Sequence, residues 1–297
     1  MEVQASERMQ MQVVVLGTGT MGSAMAARLL SEGMRVGVWS RHPASTESSV
    51  ALGAEAYADL EEAAAAADVV ITMLPTFEAT KAVMFDQGAL QAMRRNATWI
   101  QMATIGVRAT EELVAEVDGL RPDVAFIDAP VSGSRGPAEA GELLILASSS
   151  RAVRGIVEPI FRVLGRKTMW LGPAGAGSRM KLLLNTLLAF QIEGIAEVRA
   201  VARRLQVDPA ELTEALEDSP LASSYAKAKL AKMQSGDDTA EFALEMALKD
   251  LDLVISEAGV DAVPVADVIS DRWRDLIADG TRGLDVSAAR LGLGEDG

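Results

Sequence analysis

Apolar and polar positions divide the chain into two regimes. Up to about residue 171, short apolar runs at 13–16, 35–39, 69–73, 99–102, 124–128, 143–147 and 169–171 recur between longer segments. Runs of this length with few polar positions fit strands buried on both faces. The segments between them, 23–32, 61–67, 77–85, 110–117 and 151–164, carry helical spacing. Strands separated by helices predict a mostly parallel sheet covered on both sides, an α/β architecture.

The turn-like Gly172-Pro173-Ala174-Gly175 ends this regime, and the rest of the chain has helical spacing. An apolar run opens at Gly175 and continues past Leu205 without a proline. Its apolar residues, among them Leu183, Leu187, Phe190, Val198 and Val201, cover most of the helical circumference, which predicts one long, mostly buried helix. Lys181 stands near its start, and Asn185, four residues on, shares its face. Ser178 is a candidate cap, and Gly175 and Gly177 admit close approach to the backbone. Further helices are predicted at 210–216, with Asp208 as cap and Pro209 in the first position, and at 221–233, 242–255 and 265–277. The predicted organisation is a loose extension at 1–10, a nucleotide-binding α/β domain at 11–173, and an all-helical domain at 174–297. The tail at 292–297 is expected to be loose.

Chemistry gathers at the ends of the strands. Gly17-Thr18-Gly19-Thr20-Met21-Gly22 follows the first strand and opens the first helix. Gly17 permits the tight turn, Gly19 lets a pyrophosphate approach the backbone, and Gly22 allows close packing of helix on strand. Phosphate charge then faces a helix N-terminus. This predicts a Rossmann-type dinucleotide site. The second strand ends in Trp39-Ser40-Arg41-His42 rather than in an acid. Arg41 suits a 2′-phosphate and Ser40 adds a donor, so NADP(H) is expected over NAD(H), with His42 either beside the same phosphate or an exposed loop residue, the second reading favoured. Later strand ends supply Leu74 and Pro75, expected to wall the cofactor site, and Thr104, which either bonds near cofactor and substrate or holds a turn. Ser132 and Gly133 offer a hydroxyl and open amides suited to a small carboxylate. Lys249 beside Asp250 reads as a charged helix face.

Composition narrows the alternatives. A chain of 297 residues with 49% hydrophobic content suits two domains with buried cores. A net charge of −14 argues against nucleic acid or an anionic membrane as the main partner. There is no cysteine and only one histidine, which excludes disulfides, thiol nucleophiles and thiolate or histidine-rich metal sites, so no metal is expected. Charges and amides interrupt the longest apolar stretch, and the first ten residues lack a signal pattern. A soluble cytoplasmic protein is expected.

At these motifs the sequence resembles the β-hydroxyacid dehydrogenase family over nearly the whole chain after residue 11. Four motifs in order carry the likeness: residues 17–22 with Met25-Ala26; Asp128-Ala129-Pro130-Val131-Ser132-Gly133; Gly175 and Gly177 with Lys181 and Asn185; and Lys249-Asp250. The resemblance implies an α/β dinucleotide-binding domain followed by an all-α domain like the C-terminal one of 6-phosphogluconate dehydrogenase. It also implies Lys181 as proton donor or acceptor, substrate contacts from Ser132, Gly133 and Asn185, and cofactor contacts from Thr104 and Lys249. Residues 131–143 and 180–185 are most similar to the glyoxylate and succinic semialdehyde reductases of that family. Ala103 and Leu184 depart from it, standing where many members have Ser and Asn. The expectation is an NADPH-dependent reductase of a small carboxylate-bearing aldehyde, forming a homodimer or higher homo-oligomer. The alternatives are a 3-hydroxyisobutyrate dehydrogenase, an imine reductase (against which Lys181 counts), and a catalytically silent NADP-binding scaffold.

Overall fold

The computed structural model describes residues 11–149 and 153–294. The extension at 1–10, the start of the helix expected at 151, and the last three residues lie outside the described residues. The chain divides into two compact units, with the break between Lys181 and Leu182.

The first unit is built on a six-stranded parallel sheet. Its strands are β1 (Gln12–Leu16), β2 (Arg35–Trp39), β3 (Glu55–Ala56), β4 (Val69–Thr72), β5 (Thr98–Gln101) and β6 (Ala125–Asp128). Their spatial order is β3-β2-β1-β4-β5-β6, so the direction of winding reverses next to β1. Ligands of such sheets bind beyond the strand C-termini, at that reversal. Between the strands run α1 (Thr20–Ser31), α2 (Glu47–Ala51), α3 (Leu60–Ala66), α4 (Phe77–Lys81), α5 (Ala89–Ala92) and α6 (Val107–Leu120). Alternate strand residues feed two cores. Val13, Val15, Val69, Ile71, Ile100 and Ile127 pack on one face. Val14, Leu16, Val70, Trp99 and Phe126 pack on the other. The uninterrupted apolar strands of the sequence result from this double burial.

A smaller sheet, in the order β7-β8-β9, completes this unit. It contains β7 (Val131–Ser132), β8 (Leu143–Ala147) and β9 (Gly165–Trp170), with α7 (Arg135–Ala140) and α8 (Arg154–Leu164) between them. β8 pairs antiparallel with β7 and parallel with β9. The last strand therefore begins four residues earlier than its apolar end suggests, because Gly165 and the polar Lys167 pair with Leu143 and Leu144 of β8, the register shifting past Arg166 between them. The helix expected at 77–85 is likewise split into α4 and a π-turn at Ala82–Asp86.

The break between the units falls inside α9 (Ala176–Arg204), 29 residues long. Beyond it come α10 (Pro209–Glu217), α11 (Ser224–Ser235), α12 (Leu244–Ala258) and α13 (Pro264–Leu276). Asp208 caps α10 as its position predicts, accepting the Ala210 N–H at 2.7 Å. Ala189, Ile192, Ala196, Leu230, Leu251, Ile269 and Trp273 centre the helical core. Burial of α9 is less complete than its composition implies. Leu183, Leu187, Phe190, Val198, Val201 and Leu205 are exposed, the first by 65% and the last by 70%. Their spacing, mostly three or four residues, draws one apolar stripe along the helix that the rest of the helical unit does not cover.

Candidate active site

The cradle at the end of β1 has the geometry its glycines require. Gly17 sits at φ +102°, and a Cβ there would lie 2.6 Å from the Met73 carbonyl oxygen. A Cβ on Gly22 would lie 1.9 Å from the Gly17 carbonyl oxygen, so no larger residue fits while this turn is kept. At Gly19, by contrast, a Cβ meets nothing within 4 Å. α1 starts at Thr20 without a side-chain cap, leaving its first amides to a ligand. Met21 packs against the core, and Ser23 Oγ donates to the Thr18 carbonyl at 2.8 Å.

At the end of β2 the hydroxyls are linked. Ser45 Oγ lies 2.8 Å from both Ser40 Oγ and Thr18 Oγ1. Ser45, which sequence reasoning did not single out, thus joins the phosphate turn to the segment that bears Arg41. Arg41 and His42 are exposed beside it. These residues fit a dinucleotide with a further phosphate: open amides at a helix start, a turn too tight for side chains, and an exposed guanidinium beyond the second strand.

The loop after β5 is held by a buried network. Trp99 Nε1 donates to Thr72 Oγ1 at 2.8 Å, Thr72 donates to Gln101 Oε1 at 3.0 Å, and Gln101 Nε2 donates to the Ala103 carbonyl at 2.7 Å. Thr104 follows, half-buried, and Leu74 is half-buried after β4, with Pro75 exposed.

Asp128, the last residue of β6, is completely buried and receives the start of α9. Its Oδ2 accepts the backbone N–H of Gly175 at 3.1 Å and of Ser178 at 2.9 Å, and the Ser148 hydroxyl at 2.9 Å. Its Oδ1 lies 2.8 Å from Ser178 Oγ. Desolvation pushes this carboxyl above its ordinary value, against hydrogen bonds from Ser178, Ser148 and Gly175 that act to lower it. The helix cap is therefore Asp128, not Ser178: the serine lies within the helix, and the aspartate carboxyl reaches it from 50 residues away. Gly177 is required here, since a Cβ would lie 2.1 Å from the Leu146 carbonyl oxygen. Lys181 comes in the second turn of α9, half-buried. Ser132 and Gly133 leave β7 only four and five residues after Asp128, with Gly133 at φ +137°. One short segment thus holds the lysine-bearing helix and presents the proposed carboxylate contacts.

In the second unit, Asn185 is 5% exposed and donates to Asp250 Oδ2 at 2.6 Å. Lys249 Nζ pairs with Asp250 Oδ1 at 2.8 Å. Lys249 is thus not part of a solvated charge face: a buried carboxylate orients it together with the asparagine. Among the described residues, no group of three His, Asp or Glu side chains is placed to hold a metal ion, and no helix is long and apolar enough to cross a membrane.

Residues 12–172 match the family model described as the NAD binding domain of 6-phosphogluconate dehydrogenase. Residues 175–291 match that described as the NAD-binding domain of NADP-dependent 3-hydroxyisobutyrate dehydrogenase. The chain is 30% identical to glyoxylate/succinic semialdehyde reductase 1 of Arabidopsis thaliana, over 94% of this chain and 96% of that protein. It is 32% identical to 2-(hydroxymethyl)glutarate dehydrogenase of Eubacterium barkeri, over 84% of this chain and 83% of that protein. Among solved structures, 3-hydroxyisobutyrate dehydrogenase of Mycobacterium tuberculosis with L-serine superposes with a TM-score of 0.83 at 27% identity, covering 94% of this chain and 98% of that one.

Proposed function

The chain belongs to the β-hydroxyacid dehydrogenase family of NAD(P)-dependent oxidoreductases, and from that premise we propose that it is an NADPH-dependent reductase of a small carboxylate-bearing aldehyde of the glyoxylate or succinic semialdehyde type. The observation that carries this reading is the Asp128 junction, where one segment grips the helix of Lys181 and runs directly into Ser132 and Gly133. A carboxylate and the carbonyl next to it need those two features: fixed donors for the acid, and a proton source beside the reacting oxygen.

Gly17 to Gly22 would hold the pyrophosphate, Ser40 and Arg41 the 2′-phosphate, and Leu74, Pro75, Thr104 and Lys249 the rest of the cofactor. When bound, NADPH supplies the hydride. Ser132 and Gly133 bind the substrate carboxylate, and Asn185, oriented by Asp250, donates an amide hydrogen to the substrate. Lys181 is a cationic donor with three N–H groups, and it protonates the alkoxide as negative charge develops on the carbonyl oxygen. In the reverse direction it takes the hydroxyl proton. The uncovered stripe on α9 supports a homodimer through the helical unit.

The test is NADPH oxidation with glyoxylate, succinic semialdehyde and cyclic imines, together with NADP⁺ reduction by 3-hydroxyisobutyrate. Turnover is expected with one of the aldehydes and not with imines. Turnover confined to 3-hydroxyisobutyrate moves the assignment to that dehydrogenase activity. Turnover confined to imines overturns the reading, and none with any substrate leaves a binding scaffold.

A further inference from the structure

Four elements of the first unit end on one buried polar chain. Asp128 closes β6, Ser148 follows β8, Ser178 lies in the first turn of α9, and Thr110 in the first turn of α6. All four are buried, and Asp128, Ser148 and Thr110 have no exposed surface. The elements they close or open carry the candidate site: Thr104 leads into α6, Ser132 and Gly133 follow β6, and Lys181 follows Ser178.

Counting hydrogens along these hydroxyls constrains the state of Asp128. Thr110 Oγ1 donates to the Gly106 carbonyl at 2.8 Å, which uses the only hydrogen of that hydroxyl. Thr110 Oγ1 also lies 3.0 Å from Ser178 Oγ. Ser178 Oγ in turn lies 2.8 Å from Asp128 Oδ1. An ionised carboxylate can only accept. Ser178 must then donate to Asp128, and the contact between the two hydroxyls is left without a hydrogen. A protonated carboxyl supplies the missing one: Asp128 Oδ1 donates to Ser178, Ser178 to Thr110, and Thr110 to Gly106. Oδ2 stays an acceptor for Gly175 N–H, Ser178 N–H and the Ser148 hydroxyl. Ser148 Oγ still accepts the Gly177 N–H at 3.0 Å. Amides at a helix start favour negative charge. Yet these partners of Asp128 are all neutral, and a desolvated carboxylate without a counter-charge is costly.

We propose that Asp128 is held as a neutral carboxylic acid, and that the hydrogen-bond chain it starts sets Lys181 in register with the loops bearing Thr104 and Ser132–Gly133. Asp128 touches no reacting atom and is a positioning residue. The positioning half rests on the assignment of Lys181 as proton donor; the protonation state does not.

The two halves are tested separately. Isotope-edited infrared spectra of protein carrying ¹³C-labelled aspartate carboxyls should show the carbonyl band of a neutral buried acid at neutral pH. Loss of that band in Asp128→Asn assigns it. Absence of the band from the wild type overturns the proposal, and this reading needs no variant to fold. In kinetics, asparagine can donate and accept as a neutral acid does, so Asp128→Asn should stay within about threefold of wild-type kcat. Asp128→Ala and Ser178→Ala should lower kcat by about 10–10²-fold through misplacement, with the Kd for NADPH unchanged. Their primary isotope effect with 4-deuterated NADPH should rise toward its full value, because the chemical step is what slows. A merely structural role predicts a smaller active fraction with kinetic constants and isotope effect unaltered, and that result overturns the positioning. So does Asp128→Asn losing as much kcat as Asp128→Ala. Lys181→Met is run alongside: near-normal turnover removes both the donor assignment and the positioning role, and leaves the infrared result standing.

Discussion

Single atoms decide the cofactor site. The Cβ that Gly22 lacks would sit 1.9 Å from the Gly17 carbonyl oxygen, so Gly22→Ala must displace the turn. Its affinity for NADPH is expected to fall by at least about tenfold, roughly 1.4 kcal/mol, in a fluorescence titration. On the proposed reading, Arg41 acts by charge instead. Arg41→Ala would then remove a charge-assisted bond made only to the 2′-phosphate, worth about 1.5–3 kcal/mol, so Kd for NADPH should rise about 10–10²-fold while that for NADH stays level. Equal loss for both cofactors would remove the 2′-phosphate assignment. Lys181→Met keeps the stem of the lysine and loses its ammonium. Turnover is expected to drop about 10²–10⁴-fold with NADPH binding retained, and a variant with near-normal kcat would show that Lys181 only packs. The glycine turn was legible in the sequence because it belongs to a local pattern, a strand running into a tight turn and a helix; Arg41 and Lys181 stand out as candidates from local patterns of the same kind. Asp128 as helix cap was not legible, since it bonds a residue 50 positions away. Nor was Asp250 as partner of Asn185, 65 positions distant. Pairings of that kind exist only after the chain has closed.

At the scale of elements, apolar strand centres were easier to read than strand ends. Apolar runs buried on both faces mark themselves, whereas β9 opens with Gly165-Arg166-Lys167, of which Gly165 and Lys167 pair with β8 around a register shift at Arg166. Polarity hid a strand there because only its backbone is committed to the sheet. The helical unit depends on a buried pair that composition does not reveal. Lys229 Nζ, on α11, lies 2.9 Å from Asp285 Oδ1, and both side chains are buried. Asp285 also accepts the backbone N–H of Glu241, Phe242 and Ser287, tying three segments together. Burial pushes the Asp285 carboxyl up, but Lys229, with the backbone donors of Ser287 and Phe242, carries it below its ordinary value. Its contribution is therefore present above the ordinary carboxylate range and is lost as pH falls through the lowered value. Lys229→Met strands the carboxylate and is expected to cost about 3–5 kcal/mol in urea unfolding at neutral pH, with the gap to wild type narrowing in acid. A gap that is small and flat with pH would mean that the backbone donors suffice.

For the molecule as a whole, the uncovered apolar stripe of α9 is the main departure from the reading of a buried helix. A helix apolar on nearly all sides implies burial on all sides, but the described residues cover only part of this one. Leu183, Leu187, Phe190, Val198 and Val201 remain exposed, and a stripe of that length favours a second copy. Light scattering at micromolar concentration is expected to give a dimer or larger homo-oligomer. Leu187→Glu combined with Val198→Glu should shift it toward monomer, with a lower melting temperature that depends on protein concentration. A wild-type monomer would rule this assembly out.

The clamp on α9 also bears on recombination between relatives. The glycine-rich stretch near residue 173 looks like a natural crossover point, since helical and sheet segments meet there. Asp128, Ser148 and Thr110 lie before it, while Gly175, Gly177 and Ser178, which they hold, lie after it. A chimera joined at that point takes the grip from one parent and the gripped helix from the other. Such hybrids should be active only where both parents supply compatible residues at these six positions. A crossover moved back before Thr110 transfers the clamp whole, and with it the lysine that the clamp positions.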